Sequence, residues 1–275
     1  MTSTKITFIG GGNMASSIIG GLVAQGFNAE NITVSDPYQP SLDTLAKTLA
    51  VKTSQDNNQA VSHADIVVLA VKPQAMQQVA EAMKSAVQAQ KPLIISIAAG
   101  IEMASLDQWL GGHLAIVRCM PNTPALVQKG ATALFANAAV SEAQRQQTDQ
   151  ILSAIGLALW VDTEAKLDAV TAVSGSGPAY FFLLMEAMQS AGVALGLSKQ
   201  EANQLTLQTA LGAAEMAISS NVDAAQLRRQ VTSPNGTTEA AIQSFENNDF
   251  NAIVNIALTA AKDRSEQLAK EMAGM

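Results

Sequence analysis

The run Gly10-Gly11-Gly12-Asn13-Met14-Ala15 constrains this chain more than any other feature. It follows an apolar segment of strand character, residues 5–10, and opens a segment of helical period, residues 14–25. Gly10, Gly12 and Ala15 stand in the spacing GxGxxA. In a strand–turn–helix the first glycine permits the tight turn, and the second lets a pyrophosphate approach the backbone. The small third residue lets the helix lie close to the sheet. Phosphates then rest on the free N–H groups and positive dipole end of that helix. The spacing points to a dinucleotide held by Gly10, Gly11, Gly12, Asn13 and Met14.

The pattern downstream agrees. Strand candidates recur at residues 32–35, 66–71, 93–98, 115–119, 131–136 and 157–161, with helical segments at 42–50, 74–86, 103–110 and 142–154. The runs at 66–71 and 93–97 are apolar on both faces, as a strand covered by helices on each side requires. Repeated strand–helix–strand units imply right-handed crossovers and a mostly parallel sheet. After Asp162 the strand signals stop, and segments 180–195, 199–219, 224–230, 238–247 and 250–272 have helical period, most of them rich in Ala and Leu. The expected fold class is α/β: an N-terminal Rossmann-type doubly wound sheet, residues 1–162, then an all-α domain, residues 163–275. Such apolar helices point to self-association.

A net charge of −7 without a basic run argues against nucleic acid or an anionic membrane as partner. No apolar run is long enough to span a bilayer, and Met1-Thr2-Ser3-Thr4-Lys5 lacks the features of a signal peptide. Cys119 is the only cysteine, so an intrachain disulfide is excluded. His63 and His113 lack metal-ligand spacing and read as surface residues. The expectation is a cytoplasmic protein without a metal site, binding any anionic substrate through local dipoles and donors.

Asp36 lies 24 residues after Gly12, where an acid accepts hydrogen bonds from the adenosine ribose and favours NADH. An Asp before Pro equally forms a turn. Ser35 with Lys47 or Lys52 leaves room for a 2′-phosphate, so the expected cofactor is NADPH or NADH. The strand ends Ala70-Val71-Lys72-Pro73 and Ala98-Ala99 belong to the same crevice, because ligands of open α/β sheets bind beyond the carboxyl ends of strands. Lys72 either contacts a phosphate or the nicotinamide ribose, or merely flanks its strand.

Three segments stand out as too specific for ordinary connectors. They are Met120-Pro121-Asn122-Thr123-Pro124, Ser174-Gly175-Ser176-Gly177-Pro178-Ala179-Tyr180 and Val231-Thr232-Ser233-Pro234-Asn235-Gly236-Thr237-Thr238-Glu239. Singly, each is a common turn or helix cap. Together with Phe8-Ile9-Gly10, Ala70-Val71-Lys72-Pro73, Arg118-Cys119 and the signature across 227–245, they make the chain resemble the pyrroline-5-carboxylate reductases over essentially its whole length.

That resemblance implies reduction of 1-pyrroline-5-carboxylate to L-proline by NADPH or NADH. The helical domain interleaves with a partner subunit, and the active site is completed at the dimer interface. It implies that the Thr238 hydroxyl bonds the imine nitrogen, and that the turn of Ser233, Gly236 and Thr237 holds the carboxylate. Ser176, Glu164 and Gln230 complete the substrate shell; some members carry Asn where Gln230 stands. Ser35, Asn57, Asn122, Thr123 and Pro124 join the cofactor shell. Arg118 braces the Met120–Pro124 loop, and Cys119 is a small buried residue. A hydroxyacid or 6-phosphogluconate-type dehydrogenase, the nearest rival, resembles its kin in a catalytic Lys on the first long helix of the second domain, but residues 178–195 contain no Lys. A catalytically silent nucleotide-binding protein would carry an eroded second-domain signature, and here it is intact. Ring size is not written in the motifs, so another cyclic imine also fits them.

Overall fold

The structure is a computed structural model that describes residues 4–273. It divides into two compact units, one running to residue 176 and taken up again from residue 261, the other Gly177–Ala260. The first contains an eight-stranded sheet. In chain order its strands are β1 (Ile6–Ile9), β2 (Ile32–Ser35), β3 (Lys52–Ser54), β4 (Ile66–Leu69), β5 (Leu93–Ser96), β6 (Ile116–Met120), β7 (Gly130–Ala136) and β8 (Gly156–Trp160). The helices are α1 (Asn13–Ala24), α2 (Gln39–Leu49), α3 (Asn57–Val61), α4 (Pro73–Gln90), α5 (Met103–Leu110), α6 (Glu142–Ser153) and α7 (Lys166–Val170). A π-helical turn, Thr171–Gly175, follows α7.

Strand order is β3-β2-β1-β4-β5-β6-β7-β8, and every pairing is parallel except β6 with β7. The order reverses at β1, which pairs with both β2 and β4, and a crevice opens there beyond the strand ends. The apolar-on-both-faces reading holds along β4. Ile66 and Val68 join one buried cluster with Phe8, Ile18 and Ile19, while Val67 and Leu69 join another with Met76, Met83 and Leu106.

Several elements escape the sequence pattern. Strand β3 is the polar triplet Lys52-Thr53-Ser54 at the sheet edge, mostly exposed, so it carries no apolar signal. Helix α3 is a single short turn and a half, started by Asp56, whose carboxylate accepts from the N–H groups of Asn58 and Gln59. Helix α7 and the π turn pack on the sheet, with Leu167 and Ala172 buried, so compactness places them with the strands. Ser265 on the last helix donates to Asp168 Oδ1 of α7 at 2.7 Å, fixing the returning segment.

The second unit consists of α8 (Gly177–Ala194), α9 (Lys199–Ser219), α10 (Ala224–Gln230), α11 (Thr237–Asn247) and the first part of α12 (Phe250–Ala273). Ser198 and Glu201 form a capping box that starts α9, and Asp223 caps α10. Gly192 of α8 faces Ala202 of α9 so closely that an added Cβ would stand 3.2 Å from the alanine methyl. Much of the apolar surface here is uncovered: Phe181, Phe182 and Leu183 are 63–67% exposed. No described helix is long and apolar enough to cross a membrane.

Candidate active site

The glycine turn has the geometry a dinucleotide requires. Gly10 adopts φ +101°, and a Cβ there would lie 2.6 Å from the Ala70 carbonyl oxygen, so only glycine fits between β1 and β4. Gly12 is the N-cap of α1 and has no side chain to cap it, leaving first-turn N–H groups for an external acceptor. The space where its Cβ would stand is open to 4 Å. An uncapped helix start beside open space fits a pyrophosphate. Ala15 is buried against the sheet.

Asp36 organises the end of β2. Its Oδ2 accepts from the Gly11 N–H at 2.7 Å and its Oδ1 from the Tyr38 N–H at 2.8 Å. These two bonds make the turn, and they place the same carboxylate beside the glycine loop. The buried Ser35 hydroxyl donates to Asn57 Oδ1 at 2.6 Å, bringing Asn57 of α3 to the same strand end.

At the ends of β4 and β5 the chain encloses a cavity of about 260 Å³. Pro73 and Gln74 line it from one strand end, Ala99 and Gly100 from the other, with Ser176 and Arg264 opposite. Ala70 donates its N–H to the Ile9 carbonyl at 2.8 Å, closing the turn toward Val71. Lys72 is the exposed N-cap of α4 and makes no ion pair among the described residues. Ala98 is buried and Ala99 exposed. Thus Ser176, remote in sequence, joins the predicted strand ends, while Arg264 lines the cavity without any signal in the sequence pattern.

Other predicted residues have bonds that sequence reasoning missed. Glu164 Oε1 accepts from Arg118 Nη1 and from the Met103 N–H, each at 2.8 Å. The pair sits largely inside, with side-chain exposure of 8% for Arg118 and 27% for Glu164. Asn122 donates to the Ser174 carbonyl and hydroxyl at 3.1 and 3.3 Å, and its Oδ1 accepts from the Ala131 N–H at 2.8 Å. It bolts the β6 loop to β7 and to the π turn. Thr123 is exposed and Pro124 half-buried in the 3-10 turn Thr123–Val127, which packs near α1. A Cβ on Gly175 would collide with the Met120 methyl at 2.5 Å, so the loop and the π turn are in close contact. Burial pushes the Cys119 thiol far up, so it stays protonated and no nucleophile.

In the helical unit, Ser233, Gly236, Thr237 and Thr238 converge on the start of α11. Asn235 has φ +60°, and its N–H donates to Glu239 Oε2 at 2.7 Å. Gly236 donates to the Ser233 carbonyl at 3.0 Å and is the N-cap of α11, with no side-chain cap. Thr237 and Thr238 are exposed in the first turn. Gln230 ends α10, exposed, three residues before Ser233. The turn thus presents hydroxyls and unsatisfied N–H groups without a cation, a surface suited to a carboxylate.

Comparison with known proteins accords with this geometry. Residues 164–268 match the family model for pyrroline-5-carboxylate reductase dimerisation, and residues 5–100 that for NADP oxidoreductase, coenzyme F420-dependent. A pyrroline-5-carboxylate reductase from Pseudomonas aeruginosa is 58% identical, the match covering 99% of each chain. One from Haemophilus influenzae is 44% identical over 98% of each. Among solved structures, a pyrroline-5-carboxylate reductase from Coxiella burnetii superposes with TM-score 0.94 at 46% identity, covering 97% of this chain and 99% of that one. The Plasmodium falciparum pyrroline carboxylate reductase with NADP bound gives TM-score 0.86 at 31% identity, covering 98% and 99%.

Proposed function

This chain belongs to the pyrroline-5-carboxylate reductase family and reduces 1-pyrroline-5-carboxylate to L-proline with NADPH or NADH, the last step of proline biosynthesis; we propose that Thr238 is its catalytic contact. When bound, the reduced nicotinamide supplies a hydride to the C=N carbon. As the double bond is reduced, the ring nitrogen gains a lone pair. A hydroxyl donor beside it then stabilises the transition state more than the ground state. If the substrate arrives as the iminium, no buried acid is required, and catalysis is largely positioning.

The observation that carries this reading is the uncapped start of α11, where Thr238 stands beside the Ser233–Gly236 turn. Ser233, Gly236 and Thr237 would hold the substrate carboxylate, with Ser176, Glu164 and Gln230 in the surrounding shell. Glu164 would act there through a carboxylate already held by Arg118. Gly10, Gly11, Gly12, Asn13, Met14, Ser35, Asp36, Asn57, Ala70, Val71, Lys72, Pro73, Ala98, Ala99, Asn122, Thr123 and Pro124 would form the cofactor shell. In this reading residues 1–162 hold the dinucleotide, and residues 163–275 bind substrate and the partner subunit. The two family matches support that division.

The dimerisation match supports a homo-oligomer, which we read as a dimer or a larger assembly of dimers. The cytoplasm is the proposed compartment, in keeping with a single, buried cysteine. The test is steady-state reduction of 1-pyrroline-5-carboxylate by Thr238→Ala and Thr238→Ser, with NADPH and NADH in parallel. Loss of the donor should lower kcat about 100-fold, with activity largely restored by serine. An unchanged kcat in Thr238→Ala would remove Thr238 from the mechanism.

A further inference from the structure

A groove on the outer face of β8 is left unfilled by the described residues. β8 ends the sheet and, among the described residues, pairs with β7 alone. Its side chains alternate: Ala158 and Trp160 pack on the buried core, while Leu157 and Leu159 point away and are 63% and 56% exposed. Facing them are Val170 of α7 and Val173 of the π turn, the latter 63% exposed, and the walls enclose about 430 Å³. Thr132, also in this lining, keeps a buried hydroxyl oxygen without a hydrogen-bond partner among the described residues.

An apolar face at a sheet edge is ordinarily blunted by charge or covered. Here the strand Gly156-Leu157-Ala158-Leu159-Trp160 has no charged residue, and the groove's one cation is Lys166 at its rim. A solvent-exposed face would be expected to carry more. The groove therefore has the character of half an interface.

We propose that a second copy of this chain covers the β8 groove, so that the oligomer interface extends from the helical unit onto the sheet unit. Continuity with the self-association segment selects this occupant. Lys166, Val170 and Val173 form one wall, and all lie within residues 164–268, the part matching pyrroline-5-carboxylate reductase dimerisation. The other wall, Leu157 and Leu159, lies outside that match, so the inference assigns new surface to the interface. Exposed apolar side chains appear again at Phe181 and Phe182, and a partner of the same chemistry suits both stretches.

The test uses the full chain and reads assembly rather than turnover, so its result is separate from the assignment of Thr238. Leu159→Asp should shift the protein to a smaller species in sedimentation velocity while NADH and NADPH binding persists, since Leu159 is exposed in the single chain. Leu159→Cys supplies a second measurement, because native Cys119 is buried and protonated. Maleimide labelling at position 159 should be slowed about tenfold or more in the intact oligomer and recover on dilution to the monomer. An unchanged assembly in Leu159→Asp, or rapid labelling within the oligomer, would overturn the proposal. So would protection that persists in the monomer, since the cover would then be the chain itself.

Discussion

The sheet unit and the helical unit treat their apolar residues in opposite ways. Ile66, Val67, Val68 and Leu69 of β4 are all fully buried, enclosed by helices on both faces. In α8, by contrast, Phe181, Phe182 and Leu183 remain mostly exposed although they follow one another along a helix. A helix apolar around its circumference is built to be surrounded. The first unit completes its core within one chain, and the second supplies surface for another copy, as the dimerisation match requires.

The largest expected effect breaks this contrast directly. Phe182→Asp should dissociate the oligomer, because a two-fold interface loses the burial of two phenyl rings, about 3–6 kcal/mol in all. Sedimentation equilibrium measures the dissociation, and hydrogen exchange should show the sheet unit still protected while the helical unit opens. Equal loss of protection in both units would mean that the sheet unit is not self-sufficient.

Next comes the ion pair inside the sheet unit. Glu164→Ala leaves Arg118 buried without its partner and should cost about 3–5 kcal/mol in urea unfolding. The double variant with Arg118→Met should recover much of that loss, because no charge is then stranded. Failure of recovery would show that the bond from the Met103 N–H to Glu164 matters more than the charge pair.

A smaller effect concerns Asn122, whose amide joins β7 and the π turn. Asn122→Ala should cost about 1–3 kcal/mol, since it orphans the Ala131 N–H. If Asn122 also serves the cofactor, KM for NADPH or NADH rises in parallel; a stability loss with unchanged KM would mark it as structural only.

The smallest effect is a pH dependence in the helical unit. Hydrogen bonding from the Ser198 side chain, and then from its backbone, holds the Glu201 carboxyl below the ordinary glutamate value. A lowered folded pKa means that the contribution is present above the unfolded value and lost as pH falls through the folded one. Glu201→Gln should therefore lower thermal stability slightly at neutral pH and flatten the acid limb below the normal glutamate pKa, so that the two proteins converge in acid, as followed by circular dichroism.

Much of this was legible in the sequence because it is local. The glycine spacing, the two-faced apolar runs and the helical periods each report which way neighbouring residues point, and the structure keeps all of them. Helix α4 begins at Pro73, where a missing N–H does no harm, and runs to Gln90, past the expected end at residue 86, with Val87 continuing its buried face. Strand β3 was illegible for the converse reason: three polar residues pair with β2 by backbone alone.

The sequence by itself determined a dinucleotide turn, a mostly parallel sheet, apolar helices seeking a partner and a family signature, since periodicity and short motifs act over a few residues. Only the tertiary structure decided which side chains meet across long separations. It gave Glu164 to Arg118, Asn122 to Ser174, and Ser265 to Asp168. A pattern of burial says that a side chain faces inward, but the partner it meets there depends on how strands and helices stack. That is fixed by packing of the whole core.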